Sequence, residues 1–524
     1  IMSILKTRKE TPLGFSKKTF LFIAFLYLLI LIKTSWVSDD AFLTFRSVDN
    51  FINGYGLRWN VLERVQIYTH PLWMFLLSGI YYFIRNPLIT FYITSIIISL
   101  LTHYFFAFKI AKHTEKLIIG TAILAFSKAF IDYSTSGLEN PLTHLLVILF
   151  LASFFNSDEF SYKQIFTLFF IASLSAFNRM DTFLILLPSL LYILFKRRTF
   201  NAIFSAAIGF LPFILWELFS LIYYGFPFPN TAYAKLATGI EKTLLIKQGF
   251  YYLQDSFLRD PVTLIVILCG ILIVFWNKKI KDTLVATGVF LYLVYVIQIG
   301  GDFMSGRFFS TLLLISTVLL VRSRFFERIL QNARLYCYLI LLILGSYTIS
   351  PYTFLSEENG IADEKSVYYS ATNLLQPELI NNNFIMPNYY WAHNGFRHNL
   401  NGKKKTIRPS SGMYAFYAGS DIHVVDLHGL GDPLLSRLPP VEQEDFRIGH
   451  FFRSTPAGYW KYDRSFGNEI EDPNLHKYYE KLSILIHDKN LLSPQRLITI
   501  WRMNTGYYNY LLDDYLAGKD STHE

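Results

Sequence analysis

The stretch Thr19-Phe-Leu-Phe-Ile-Ala-Phe-Leu-Tyr-Leu-Leu-Ile-Leu-Ile-Lys33, running on to Val37 and into Ser38-Asp-Asp40, decides the architecture of this chain. An apolar run of that length reads as a membrane-spanning helix. The adjacent carboxylates Asp39 and Asp40 follow at once; they are costly to desolvate and gain nothing from lipid. Their place points to chemistry at the water–lipid boundary, opposite the basic flank of Lys6, Arg8, Lys9, Lys17 and Lys18. No small-residue cleavage pattern follows the span, which therefore reads as an uncleaved signal-anchor.

The rest of the chain repeats this pattern. Of 524 residues, 52% are hydrophobic, 18% aromatic and only 17% charged, where a soluble chain carries about 25% charged residues. The mean hydropathy of +0.32 agrees. Apolar runs at 19–37, 88–108, 117–131, 141–155, 164–177, 181–195, 199–223, 262–276, 284–298, 308–321 and 335–350 predict a multispan α-helical membrane protein of about 11 spans. A further run, 71–84, is short and reads as a re-entrant or surface-lying helix, with a true span as the alternative.

Charge sets orientation. The net charge of +9 would suit a nucleic-acid binder, but its distribution excludes that reading. Residues 1–350 hold 31 basic and 18 acidic side chains; residues 351–524 hold 17 and 21. The excess lies in short loops between spans: Lys109, Lys112 and Lys116; Lys196 to Arg198; Lys278 to Lys281; Arg322 to Arg334. These loops are expected on the cytoplasmic side. Parity then puts the first outer loop, 38–87, and the tail outside the cytoplasm. The domain expectation is a membrane-embedded catalytic part, 1–350, and an extracytoplasmic soluble α/β domain, 351–524, long enough to bury its own core. In that tail Ile422–Asp426 reads as a buried strand and Pro473–Ile486 as an amphipathic helix.

The outer loops hold the conspicuous polar residues. Asp39 and Asp40 open an amphipathic stretch closed by Asn53-Gly-Tyr-Gly56; one carboxylate can cap that helix while the other serves as a base. Tyr68 and His70 precede Pro71, and His70 is either structural or solvated, or a substrate contact. Glu139 and Asn140 lie at a helix mouth. Arg179 and Asp181 read equally as an ion pair locking two helices or as a substrate-binding pair. Asp302 and Arg307 flank a glycine-rich turn with the same ambiguity. Lys235, after Asn230 in an aromatic–proline loop, suits a phosphate by charge, or snorkels. Cys269 and Cys337 sit in apolar runs and read neither as a disulfide nor as metal ligands. The sequence carries no nucleotide or metal motif. No cofactor and no metal ligand set is assigned, and dependence on a divalent metal stays open.

In this order the motifs resemble the GT-C class of membrane glycosyltransferases, in the branch containing the mycobacterial terminal arabinofuranosyltransferases. The specific segment is Asp39-Asp-Ala-Phe-Leu-Thr-Phe-Arg46, then Asn53-Gly-Tyr-Gly-Leu57 and Tyr68-Thr-His-Pro-Leu-Trp73. Ser136–Glu139, Arg179-Met-Asp181, Pro229-Asn-Thr231, Gly301-Asp302 and Asp426-Leu-His-Gly-Leu-Gly-Asp-Pro433 extend it over most of the chain. The chain departs from the branch at Arg179–Asp181 and in lacking a proline after Gly301-Asp302, which leaves the donor sugar open.

The resemblance implies a polyprenyl-phosphate-linked sugar donor, a pentose such as arabinofuranose or a hexose. It also implies a cell-envelope glycan or glycolipid acceptor, with an essential aspartate at Asp39 or Asp40. Localisation would be the inner (plasma) membrane, with the active site on the periplasmic, extracytoplasmic face. A departing lipid phosphate needs fixed cations, for which Arg46, Arg179, Lys235 and Arg307 are candidates; Tyr68, His70, Glu139, Asn140, Asp181, Asn230 and Asp302 are candidate substrate contacts. The alternatives are a lipid-linked glycan polymerase or ligase, or a flippase. A flippase would be expected to show internal repeats, and none is evident.

Overall fold

The computed structural model describes residues 13–236, 238–324, 358–402, 404–409, 412–441, 446–459 and 469–520. The expected span at 335–350 and Cys337 lie outside these residues. The chain divides into two compact units, one of Ile1–Ala41, His70–Phe213 and Glu241–Tyr389, the other of Phe42–Thr69, Ile214–Ile240 and Tyr390–Glu524.

The first unit is helical. Its apolar runs become the helices Lys17–Thr34, Pro71–Ile84, Pro87–Phe105, Thr114–Phe126, Asn140–Phe155, Tyr162–Asn178, Phe183–Lys196, Pro261–Asn277, Ile280–Gln298 and Phe309–Val321. Several apolar helices of this kind suit a membrane protein. Among the described residues of the whole chain, three helices are long and apolar enough to cross a bilayer, or up to five if each bent pair counts as one span. One such pair, Lys242–Arg259 with Pro261–Asn277, bends by 112°. Asp260 holds that corner: its side chain caps the second helix through the Thr263 N–H at 3.2 Å and accepts the Ala129 N–H at 2.9 Å.

Helices Asn140–Phe155 and Phe309–Val321 have 16 and 13 residues, all but one of the 29 buried. At about 1.5 Å per residue they fall short of the roughly 30 Å hydrocarbon layer. Uniform apolarity on every side is what an interior helix requires. Small residues permit the close crossings: a Cβ on Gly288 would collide with the Ile185 carbonyl.

The short run after His70 is the helix Pro71–Ile84, with proline in its first turn and Arg85 in the left-handed conformation after its end. Helix Asp39–Ile52 has its first three residues in the first unit and the remainder in the second. The capping bond at its start comes from Ser38, whose hydroxyl accepts the Ala41 N–H at 3.2 Å. The cap expected of one aspartate is thus supplied one residue earlier, and both carboxylates sit in the first turn.

The second unit packs a small mixed core. Strands Lys405–Arg408 and His423–Asp426 pair in parallel, with Thr406 opposite Val424. Helix Pro473–His487 buries Leu475, Tyr478, Tyr479, Leu482, Leu485 and Ile486, the three-to-four spacing of one helix face. That face meets Leu434, Leu435 and Leu438, with Ile500, Met503 and Leu511 from the last helices. Helices Tyr390–Leu400 and Gly412–Ala418 approach closely because Gly395 has no Cβ to strike the Tyr414 carbonyl.

Candidate active site

The first unit gathers nine of the thirteen site residues expected from sequence. Its centre is Glu139, 1% exposed, just before helix Asn140–Phe155. Arg179 Nη1 donates to Glu139 Oε1 at 2.6 Å, and Arg307 Nη2 donates to both Glu139 oxygens at 3.2 Å. His70 Nδ1 stands 3.3 Å from Glu139 Oε2. Burial alone would raise the Glu139 carboxyl, but Arg307, His70 and Arg179 outweigh it and hold the group well below the ordinary carboxylate range. Burial brings the His70 imidazole down to about 4 despite Glu139, with Arg307 and Arg179 adding to the fall. His70 is therefore neutral at physiological pH and a donor to Glu139 rather than a third cation.

Two further carboxylates complete the shell. Arg179 grips Asp181 with Nε at 2.8 Å and Nη2 at 2.9 Å, and the Tyr292 hydroxyl donates to Asp181 at 3.0 Å. The Phe308 ring lies 4.5 Å under the Arg179 guanidinium. Of the two readings of Arg179 and Asp181, this geometry gives the ion pair. Arg307 Nη1 lies 3.5 Å from Asp302. Burial opposes its charge, yet Glu139 and Asp302 leave its proton held more tightly than usual, with a smaller contribution from Asp40. Asp39 is buried and Asp40 half-buried.

Some polar capacity in this shell is unspent. Asn140 donates to Ser310 Oγ at 3.0 Å and Asn178 to Thr143 Oγ1 at 2.9 Å. The buried Oδ1 of Asn140, Oδ1 of Asn178 and Nε of Arg307 have no hydrogen-bond partner. A ligand hydroxyl could donate to either amide oxygen, and a hydroxyl or anionic oxygen could accept from the Arg307 Nε–H.

The other four expected residues belong to the second unit. Arg46 is 2% exposed, and its donors go to backbone carbonyls: Nε to Trp59 at 2.9 Å, Nη2 to Ile422 at 2.5 Å and Nη1 to Ala415. The phosphate role expected of Arg46 gives way to a framework role. Asn230 is likewise committed, donating to the carbonyls of Gly429, Leu430 and Asp432 at 2.9 to 3.1 Å while its oxygen accepts from Ser436 and Arg437. The Tyr68 hydroxyl is buried against that of Tyr224 at 2.7 Å. Lys235 is half-buried and acts on the imidazoles of His428 and His450.

Sequence reasoning missed a second buried ionic chain in the first unit. Lys128 Nζ lies 2.5 Å from Asp132 and 3.0 Å from Asp363, and Lys365 lies 2.8 Å from Asp132. No local signal marks it, because Lys365 belongs to the segment read as tail. Among the described residues no group of three or more His, Cys, Asp or Glu side chains is arranged to hold a metal.

No family model matches the chain. It is 27% identical over 322 residues to the terminal beta-(1->2)-arabinofuranosyltransferase of Mycobacterium tuberculosis, covering 52% of this chain and 50% of that protein. It is 23% identical over 519 residues to the protein of the same name from Corynebacterium glutamicum, covering 79% of this chain and 72% of that protein. The chain is a distant relative of these arabinofuranosyltransferases. The first match spans half the length of the mycobacterial protein, so the activity of the whole relative is not carried over by similarity alone.

Proposed function

We propose that the protein is a membrane glycosyltransferase that moves a sugar, a pentose such as arabinofuranose, from a polyprenyl-phosphate carrier to a cell-envelope glycan or glycolipid. The observation that carries this reading is the buried cluster of Glu139, Arg179, Arg307 and His70 in the same unit as Asp39 and Asp40, which stand in the first turn of their helix. The names of the two relatives supply the reaction class.

In this reading an acceptor hydroxyl loses its proton to Asp39 or Asp40 as its oxygen bonds to the anomeric carbon. The bond from that carbon to the lipid phosphate breaks, and its electron pair leaves on phosphate. Positive charge develops on the sugar ring as in other glycosyl transfers. Arg307, whose Nε has no partner, is the first candidate to meet the departing phosphate; Arg179 is held by Asp181 and positions Glu139. In this reading the polar loops lie on the extracytoplasmic face, which the distribution of basic loops supports.

Mass spectrometry of a deletion strain tests this reading. A polyprenyl-phosphate pentose should accumulate while terminal pentose disappears from the envelope glycan. Accumulation of a lipid-diphosphate oligosaccharide would point instead to a polymerase or ligase, and an unchanged carrier pool would contradict transfer.

A further inference from the structure

The turn that carries Arg307 is gripped by a tyrosine that no sequence motif marks. Tyr252, in helix Lys242–Arg259, is wholly buried. Its hydroxyl donates to the Met304 carbonyl at 3.0 Å and accepts the Phe308 N–H at 3.3 Å. The Arg307 N–H closes the turn on the same Met304 carbonyl at 3.4 Å. One hydroxyl therefore brackets the turn on both sides of Arg307. The bracketed residues touch the ionic cluster themselves: Met304 Sδ lies 3.6 Å from Arg307 Nη1, and the Phe308 ring lies under Arg179.

The glycine-rich turn makes room for this ring. A Cβ on Gly301, whose φ is +75°, would stand 2.4 Å from Tyr252 Cγ. On its other side the ring packs against Phe309 at 5.0 Å. The remaining anchors of the loop hold Phe303 and Ser305 only. Tyr133 donates to the Ser305 carbonyl at 3.1 Å, Asp255 accepts from the Ser305 hydroxyl at 2.5 Å, and the Ala362 backbone bonds both residues at 2.8 and 2.9 Å. Arg307 has Nη1 facing Asp302 and Nη2 on Glu139. With those two nitrogens committed, the direction of the remaining Nε–H depends on where the Arg307 backbone stands. We infer that Tyr252 is a positioning residue for Arg307, aiming its guanidinium at the phosphate that leaves the sugar. This rests on the reading of Arg307 as the cation that meets that phosphate.

The test is a double-substitution cycle on the full chain, with a synthetic polyprenyl-phosphate arabinofuranose donor and an oligoarabinoside acceptor, reading free polyprenyl phosphate per folded protein. Tyr252→Phe keeps the ring over Gly301 and removes the hydroxyl; Arg307→Lys keeps the charge and removes the guanidinium. Tyr252→Phe alone should lower kcat about 10- to 10²-fold, the scale of a misplaced catalytic group. The loss belongs in kcat because negative charge on the phosphate grows as its bond to the sugar breaks. In the Arg307→Lys background the same change should cost less than about twofold, since the group that Tyr252 aims is already gone. Tyr133→Phe cuts a bond to the same loop and should lower the thermal midpoint while kcat stays within about twofold. Equal factors for Tyr252→Phe in the two backgrounds, or an equal kcat loss in Tyr133→Phe, would show a merely structural tyrosine and overturn the inference. Wild-type rates in both Arg307→Lys and Arg307→Gln would instead overturn the underlying reading of Arg307, and the inference with it.

Discussion

Arg307 Nη2 lies 3.2 Å from each oxygen of Glu139, so one buried guanidinium nitrogen bridges a buried carboxylate. Arg179 binds the same carboxylate at 2.6 Å. Glu139 therefore fixes two cations that sequence alone offers as free phosphate ligands.

Removing that hinge should be severe. Glu139→Ala leaves two buried guanidiniums without their shared partner, a change that costs about 3–5 kcal/mol. Thermal unfolding in detergent should show a large fall in midpoint. The pH dependence has a definite sign: the Glu139 carboxyl is depressed in the folded state, so its contribution is complete above the ordinary value of 4.5 and is lost as pH falls below it. The gap between wild type and Glu139→Gln should therefore narrow in acid. A constant gap from pH 7 to pH 3 would contradict an ionised Glu139.

The second unit should respond with the opposite sign. Burial, reinforced by Asp432, raises Glu63 to about 8 even though Asn60 donates to it at 2.8 Å. Burial also lifts Asp432 to about 6, against the bonds it accepts from Leu435 and Tyr459. Raised carboxyls stabilise the fold below their unfolded values, and that contribution is lost as pH rises through the folded ones. The thermal midpoint should fall between pH 5 and pH 9, and Glu63→Gln should flatten the fall and stabilise the protein at pH 9.

Arg46→Lys separates framework from phosphate binding. A lysine cannot reproduce the fork that reaches the carbonyls of Trp59, Ala415 and Ile422. The variant should lose thermal stability while its remaining folded fraction keeps the wild-type KM for donor. A raised KM at unchanged stability would restore Arg46 as a donor ligand.

Orientation is checked by reporter fusion. A reporter active only outside the cytoplasm, placed after Glu524, should be active, as the loop charges would place the tail outside under the proposed orientation. Activity of a cytoplasm-only reporter at that site would reverse the face on which the polar loops lie.

Much of the helical scaffold is legible in sequence because a lipid-facing or interior helix must be apolar along its whole length, as in Pro87–Phe105 and Phe200–Tyr223. Strand His423–Asp426 is legible as a short buried apolar run, and helix Pro473–His487 by the three-to-four spacing of its apolar residues. What sequence does not carry is pairing. Nothing beside Glu139 indicates that Arg179 and Arg307, 40 and 168 residues on, both turn toward it. Nor does Arg46 differ by type from a phosphate ligand; only three inward-facing carbonyls give it a framework role. Composition suggests a boundary near residue 350, yet Lys365 and Thr372 are packed into the first unit, because tertiary contacts rather than local composition hold them.

The most direct measurement is single-turnover transfer by purified protein from a polyprenyl-phosphate arabinofuranose donor to an oligoarabinoside, comparing wild type with Asp39→Asn and Asp40→Asn. Asparagine keeps the shape of the side chain but cannot take a proton, so loss of the base should slow transfer about 10²- to 10⁴-fold with the thermal midpoint preserved. The account predicts release of polyprenyl phosphate by wild type and its near-complete loss in at least one variant, Asp40→Asn first. Wild-type rates in both variants, or no release by well-folded wild-type protein, would contradict it.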